Sequence, residues 1–129
     1  MKNQSRFVFA CAMLSTLLGS TLPAHAEDKQ SEIYQVTLIN VLPNALHQGN
    51  TVDSLFKELH TTLEKEPGIV DVKVTQQVGA QYNFTVIEQW KDQASLDASN
   101  ASSENEALDE RLKPLLSGPV YRRVFSVFE

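Results

Sequence analysis

The chain has 129 residues, of which 42% are hydrophobic and 21% are charged, and its formal net charge is −5. This acidic balance argues against nucleic acid as a partner, because phosphate backbones bind surfaces rich in Lys and Arg. The single cysteine, Cys11, excludes a disulfide within the chain.

The first 26 residues have the pattern of a secretory signal peptide. Two basic residues precede an apolar run from Phe7 to Leu18, and small residues at Ala24 and Ala26 suit a signal peptidase. The apolar run is too short to cross a bilayer as a helix, which needs about 20 residues. We therefore predict cleavage after Ala26, a periplasmic or secreted protein, and no membrane anchor.

Cleavage at this position changes the composition of the chain. Removing 26 of 129 residues leaves 103, and 9 basic against 16 acidic residues give the mature chain a net charge of −7. Cys11 leaves with the signal peptide, so no thiol remains for a disulfide, a metal or nucleophilic catalysis. We predict that residues 27–129 form one domain that folds by packing alone.

The first half of the mature chain reads as strand, loop, helix and strand. Residues 33–42 are rich in Ile, Val and Leu and predict a strand, and residues 43–50 predict a loop. A helix begins at Thr51 and stops at Pro67, and an alternating second strand covers residues 69–78. The helix carries an apolar stripe at helical spacing: Val52, Leu55, Phe56, Leu59 and Leu63.

The second half reads as a hairpin, a broken helix and a last strand. A short glycine turn leads into a strand over residues 82–90, and Asp92 is placed to cap the next helix. The serine-rich stretch ASNASSE interrupts this helix, which resumes near Glu104 and should kink or end at Pro114. Residues 120–128, VYRRVFSVF, predict the final strand.

This order of elements is the split βαβ pattern of α+β, ferredoxin-like folds. Two helical segments can cover one face of a four-stranded antiparallel sheet, and they leave the other face bare. Ile87 and half of the final strand place apolar side chains on that bare face. Because a large exposed apolar patch marks an interaction surface, we predict a symmetric homodimer that buries it.

The run FTVIEQWKDQASLDAS, after a PGI turn and before a leucine-bearing helix, resembles the antibiotic biosynthesis monooxygenase (ABM) domain family. The resemblance spans residues 33–128 and is sharpest at the E-x-W-x-D-x-x-x-L segment of Glu88, Trp90, Asp92 and Leu96. It implies a dimeric α+β barrel and a monooxygenase that oxidises a small aromatic or quinol-type substrate without metal or flavin. The alternative is a non-catalytic homodimer of the same fold that binds a small apolar molecule.

The chain departs from the family pattern at one position of the broken helix. Many relatives carry His in a run like L-D-A-H, where this chain has Ser99. A second His often follows, where Ser102, Ser103 and Glu104 stand here. Serine does not titrate near neutral pH as His does, so chemistry that depends on that His, and haem degradation in particular, is not expected.

Glu88 and Trp90 are the first candidates for catalysis. By alternation both point to the same face as Phe84, where a carboxylate would have a raised pKa and could act as a base. The indole N–H of Trp90 could donate to a substrate oxygen, and Tyr82 and Phe84 could form a substrate-binding wall. The alternatives are plain core packing for Trp90 and structural hydrogen bonding for Glu88.

The remaining candidates lie in the first strand, the first loop and the last strand. His47 has a suitable ordinary pKa for a general base, and a solvated loop histidine is the alternative. Tyr34 and Asn40 could aim into the cleft between sheet and helices and bind substrate. No metal is predicted, because no His or carboxylate cluster has metal-ligand spacing. Arg122 and Arg123 place one guanidinium on each face of the last strand.

Overall fold

The computed structural model describes residues 32–47 and 51–128, and the predicted signal peptide lies outside these ranges. Within them the chain has the predicted α+β, ferredoxin-like architecture, with four antiparallel strands and helices on one face. The elements are β1 (Ile33–Asn40), α1 (Pro43–His47), α2 (Thr51–Leu63), β2 (Ile69–Gln77), β3 (Ala80–Trp90), α3 (Gln93–Asn100), α4 (Ser103–Leu112), a 3₁₀ turn (Lys113–Leu115) and β4 (Tyr121–Ser126).

The strand order in the sheet is β2-β3-β1-β4, so β1 and β3 are central and β2 and β4 form the edges. Gln35 of β1 lies directly opposite Glu88 of β3 on one side and Val124 of β4 on the other. Because residues opposite each other in a sheet share a face, this register brings the side chains of Gln35 and Glu88 together on the helix-covered face.

The prediction that residues 43–50 form only a loop is wrong at its beginning. Pro43–His47 is a short helix, and Pro43 occupies its first position. Proline suits that position because its missing N–H is one that the first turn leaves without a partner, and its fixed φ already fits a helix. Ala45 of this helix is buried in the core.

The β2–β3 hairpin turns through Gly79, which has a positive φ of 79°. The register of β2 shifts between Ile69 and Asp71 and again between Gln76 and Gln77. Because of these irregularities only part of the predicted apolar face of β2 is covered: Val72 is buried, whereas Val70 and Val78 are exposed.

The broken helix of the sequence is two helices with separate caps. The Asp92 side chain accepts a hydrogen bond from the Ser95 backbone N–H at 2.7 Å, which confirms the predicted cap of α3. Ser102 caps α4 in the same way, with Asn105 N–H as the donor at 3.2 Å. The helix ends where Pro114 is predicted to end it, in the 3₁₀ turn.

The core lies between the sheet and the helices. Val86 and Trp90 of β3 pack there with Ile39 of β1, Phe56 of α2 and Leu96 of α3. The rings of Phe56 and Phe84 stack at a tilt of 35°, with centroids 4.6 Å apart. Each such side chain contributes about 1.5–3 kcal/mol when it is fully buried, so this layer holds the helices on the sheet.

The opposite face of the sheet, which we call the open face, has no helix over it among the described residues. Ile87 of β3 lies opposite Val36 of β1, and both are half-buried. Leu38 and Phe125 on the same face are 46% and 49% exposed. The open face is therefore apolar around β1 and β4 in the single chain. Toward β2 it is polar, because Lys73 lies opposite Ile87 and Thr75 lies opposite Thr85.

Candidate functional site

Glu88 is a buried carboxylate in the middle of the sheet, with only 5% of its surface exposed. It lies on β3 between two core residues of the same face, Val86 and Trp90. The strand alternation that buries these two residues also turns Glu88 toward the helices. A charged side chain in such a place needs hydrogen-bond partners.

Two side chains supply those partners. The indole Nε1 of Trp90 donates to Glu88 Oε2 at 3.0 Å, and Gln35 Nε2 donates to Glu88 Oε1 at 3.2 Å. Asn100 of α3 holds Gln35 in turn: its Nδ2 donates to Gln35 Oε1 at 3.0 Å, and its Oδ1 accepts from Gln35 Nε2 at 3.3 Å. The carboxylate is thus held by a three-residue network that joins the sheet to the helices.

Burial is the largest influence on the pKa of Glu88, and it raises this pKa above the ordinary value of 4.5. The hydrogen bonds from Trp90 and Gln35 act in the opposite direction, because they stabilise the ionised form, and so does the positive charge of Arg122. The net effect is a carboxyl group that holds its proton more firmly than an exposed glutamate, which is a property of catalytic bases.

A small cavity of about 40 Å³ lies beside this network, between the sheet, α2 and α4. Its volume takes a water molecule, but it does not take an aromatic ring. The polar residues that line it are Gln35, Thr37, Glu88, Asn100, Asn105, Asp109 and Arg122. Asp109 and Arg122 form an ion pair, with Arg122 Nη2 at 2.6 and 2.8 Å from the two carboxylate oxygens.

The structure brings Glu88 and Trp90 together as predicted, but it shows a different role for the indole. Trp90 is completely buried, and its N–H is donated to Glu88. The indole therefore orients the carboxylate in this structure and is not presented to a substrate oxygen.

Tyr34 and Asn40 do not reach the cleft between sheet and helices. The residues of β1 that face this cleft are Gln35, Thr37 and Ile39, so the alternate positions 34 and 40 lie on the open face. The Tyr34 hydroxyl donates to Glu32 at 3.0 Å. A role for Tyr34 and Asn40 in substrate binding would thus need a ligand on the open face.

The other predicted residues lie elsewhere. Phe84 faces the core and also lines a separate surface cavity of about 380 Å³ between α2 and β2, together with His60. Tyr82 is half-buried against the core. His47 is the last residue of α1, and its side chain lies outside the described part of the structure.

The polar residues that the sequence prediction missed are Gln35, Thr37, Asn100 and Asn105. Gln35 and Thr37 alternate with Ile39, and two polar residues in phase with a core residue of a central strand were the available signal. Asn100 and Asn105 lie within and just after the serine-rich break between the helices, where polar residues normally indicate exposed turns.

Ser99, which stands where many relatives carry His, is buried and hydrogen-bonded. Asn105 Nδ2 donates to the Ser99 carbonyl at 2.8 Å and to its Oγ at 2.9 Å. This serine therefore joins α3 to the start of α4 and does not line the cavity.

Within the described residues, no group of three or more His, Cys, Asp or Glu side chains could hold a metal ion. The same part of the chain contains no helix of the length and apolarity that a membrane crossing requires.

Residues 33–111 match the sequence model of the antibiotic biosynthesis monooxygenase family. This match covers more than half of the chain, which therefore belongs to that family. A comparison with curated protein sequences gives no match.

Solved structures show the same fold. Rv0793 from Mycobacterium tuberculosis is 16% identical, with a TM-score of 0.67 over 77% of this chain and 97% of that protein. A conserved protein from Methanosarcina mazei Go1 is 26% identical, with a TM-score of 0.62 over 75% and 93%. SnoaB, a cofactor-independent oxygenase from Streptomyces nogalater, is 15% identical, with a TM-score of 0.66 over 77% and 95%.

Proposed function

We propose that this protein is a cofactor-independent monooxygenase that oxidises a small aromatic or quinol-type molecule. The observation that carries the proposal is the buried, hydrogen-bonded carboxylate of Glu88, with its raised pKa, beside a cavity in a member of the monooxygenase family. SnoaB, which is described as a cofactor-independent oxygenase, has the same fold and supports this reading.

In this mechanism Glu88 accepts a proton from the substrate. The resulting phenolate gives electrons to dioxygen at a ring carbon, which is a CH₂ group in the keto form of the phenol; one oxygen atom replaces the two hydrogens of this group as a carbonyl, and the other leaves as water with those two hydrogens. The substrate itself is the reductant, so the protein has to bind it, accept its proton and return that proton to water. Gln35 and Trp90 keep the carboxylate in place during this cycle.

The experiment is oxygen consumption with a panel of hydroquinones and related phenols, measured for the parent and for Glu88→Gln. Removing a general base typically lowers the rate by about 10²–10⁴-fold, so we expect Glu88→Gln to lose nearly all acceleration. Glu58→Gln is the control, because Glu58 is an exposed carboxylate paired with Arg111 outside the cavity. A Glu88→Gln protein that folds and keeps the parent rate would refute the proposed base.

A second candidate function is a non-catalytic binder of small molecules. Ser99 favours it: this buried serine stands in place of the titratable His that the family resemblance leads us to expect, and a binder does not need that His. The same panel separates the two functions, because a binder shows saturable binding by calorimetry without oxygen consumption.

We also propose that the protein is exported and acts as a homodimer. The basis for export is the signal-peptide pattern of residues 1–26, and the basis for the dimer is the apolar open face around Leu38, Ile87 and Phe125. Expression of the full-length chain in a bacterial host and mass spectrometry of the periplasmic fraction would test export. We expect a mature N-terminus at Glu27, and an intact N-terminus in the cytoplasm would contradict the proposal.

A further inference from the structure

Two polar atoms beside the small cavity are shielded from solvent and have no hydrogen-bond partner within the described chain: Thr37 Oγ1 and Asn105 Oδ1. Both residues line the cavity, and Thr37 is only 3% exposed. Buried polar groups in proteins almost always have partners, so two such atoms at one cavity indicate that a ligand group or water completes them.

The amide orientation of Asn105 is determined by its surroundings. Its Nδ2 faces the Ser99 carbonyl, the Ser99 hydroxyl and Glu66 Oε1, at 2.8, 2.9 and 3.4 Å. A carbonyl and a carboxylate only accept hydrogen bonds, so the donating nitrogen must face them and Oδ1 must face away. Oδ1 needs a donor, whereas the Thr37 hydroxyl can both donate and accept. A hydroxyl group has the hydrogen that Oδ1 lacks and an oxygen that can accept from the Thr37 hydroxyl.

A larger groove of about 510 Å³ lies on the outer side of the same wall. Asp109, Leu112 and Arg122 line both the inner cavity and this outer groove, so the Asp109–Arg122 ion pair is part of the partition between them. The groove is lined further by Lys113 of the 3₁₀ turn and by the segment between this turn and β4, which includes the apolar residues Leu116 and Val120.

This partition can open at low cost. Both members of the ion pair are partly exposed, and exposed ion pairs contribute little to stability. Arg122 lies on β4, an edge strand that pairs only with β1 and whose six residues are all exposed. Movement of the Arg122 side chain would therefore open the polar part of this wall, while Leu112, the third shared residue, stays in the core.

We propose that the inner cavity and the outer groove form one binding site for an elongated, apolar molecule that ends in a hydroxyl group. The hydroxyl binds Thr37 and Asn105 next to Glu88, and the Asp109–Arg122 pair is the gate. The inner cavity takes only the hydroxyl, so the adjoining part of the molecule, such as a phenol ring, lies in the space that the open gate leaves, and the rest of the apolar body lies in the groove along Leu112 and Leu116. The proposal rests on the proposed function in that Glu88 would receive a proton from this hydroxyl, but the binding site itself does not require turnover.

The test uses para-pentylphenol and para-pentylanisole, which differ in whether the oxygen can donate a hydrogen bond. Calorimetry under nitrogen measures binding without oxidation. We expect the parent to prefer the phenol by about tenfold, the value of one ordinary hydrogen bond. Thr37→Val, which keeps the shape and removes the hydroxyl, should weaken phenol binding and shrink the preference, and Thr37→Ser should restore it.

The gate is tested by the rate of phenol binding, followed through the fluorescence of Trp90, the only tryptophan of the chain. Asp109→Asn weakens the ion pair and should raise the association rate constant several-fold. Glu58→Gln is the matched control, because it weakens an exposed ion pair, with Arg111, that lines neither space.

Each part of the proposal can fail separately. Equal affinity of the parent for the two compounds, or a preference unchanged in Thr37→Val, would overturn the hydroxyl site. Equal association rates in Asp109→Asn and Glu58→Gln would overturn the gate. Binding as expected with no oxygen consumption would leave this site standing and refute only the monooxygenase, whereas turnover that is insensitive to Thr37 and Asp109 would refute only the site.

Discussion

At the scale of single residues, Glu88 is the most unusual side chain of the described structure. Its carboxylate is buried in the core, where most proteins place a hydrocarbon. The hydrogen bonds from Trp90 and Gln35 reduce the cost of this burial, but desolvation is larger, because the pKa remains raised. The ionised form of Glu88 is therefore less favourable in the folded protein than in the unfolded chain.

The sign of the pH dependence follows from proton binding. Between the ordinary pKa of 4.5 and the raised pKa of the folded protein, the folded state binds more protons at Glu88 than the unfolded state. The free energy of unfolding should consequently fall as the pH rises through this window, and the penalty is fully present above the folded pKa.

Denaturant titrations of the parent and Glu88→Gln at a series of pH values measure this effect. Two other carboxyl groups also make stability depend on pH. Hydrogen bonds from Lys73 and Ser95 lower the pKa values of Asp71 and Asp92, so the stability that these groups contribute is lost at lower pH. Both groups are present in the parent and in the variant, so they do not change the difference between the two. We expect Glu88→Gln to gain stability relative to the parent as the pH rises above 4.5. A constant difference across the range would show that Glu88 does not titrate as described.

At the scale of elements, the turn between α2 and β2 depends on one glycine. Gly68 has a φ of 87°, and a Cβ at this position would meet Ser95 Oγ at 2.3 Å. Its carbonyl accepts a hydrogen bond from Lys91 N–H at 2.9 Å, at the end of β3. The turn before β2 thus lies so close to the beginning of α3 that position 68 has no room for a side chain.

Alanine substitutions at three glycines separate the backbone effect from the steric effect. Gly79→Ala, with a positive φ and free space, should cost about 1–2 kcal/mol, the usual cost of a left-handed L-residue. Gly68→Ala should cost more, because it adds the clash with Ser95. Gly118→Ala, with free space and no positive φ, should change the free energy of unfolding little. Denaturant titrations measure all three, and equal stability of Gly68→Ala and Gly118→Ala would show that neither the left-handed backbone nor the Ser95 contact constrains this turn.

At the scale of the whole molecule, the open face is the basis of the proposed homodimer. In the single chain this face exposes large parts of Leu38, Tyr121 and Phe125, and Arg123 lies among them by register. Apolar surface is worth roughly 25 cal/mol per Å² when it is buried, so a second copy placed here would gain several kcal/mol before the cost of association.

Light scattering during size-exclusion chromatography at micromolar concentration tests this expectation. We expect a dimer for the parent and a monomer for Leu38→Lys, because a lysine in the centre of the interface would have to bury its charge. Val78→Lys is the control: Val78 is 98% exposed at the hairpin end and should tolerate the change without dissociation. A parent that remains monomeric would refute the dimer and, with it, the proposed assembly of the family barrel.

Several elements could be predicted from local sequence alone, since their physical causes are local. The Asp92 cap, the glycine turns and the end of α4 near Pro114 each depend on residues within a few positions of one another. The Glu88–Trp90 pair was also accessible, since both residues lie on one strand and strand alternation puts them on one face.

The partners of Glu88 could not be found in this way. Both alternating sets of β1 contain large apolar residues, Val36 and Leu38 in one and Ile39 in the other, so alternation does not show which set is turned toward the helices. In the structure Gln35 and Thr37 face the helices, and Val36 and Leu38 face the open side. When helices cover one face of a sheet and the other face is also apolar, the hydrophobicity of a strand does not show which of its side chains point toward the helices.

The sequence by itself determined the order of strands and helices, the family and the acidic residue at the centre of the site, because periodicity, caps and a short motif act over neighbouring positions. Only the tertiary structure decided that Gln35 and Asn100 hold Glu88, that Thr37 and Asn105 line a cavity, and that Arg122 pairs with Asp109 beside it. These contacts join residues up to 65 positions apart, and their geometry depends on strand register and helix packing, which no local pattern encodes.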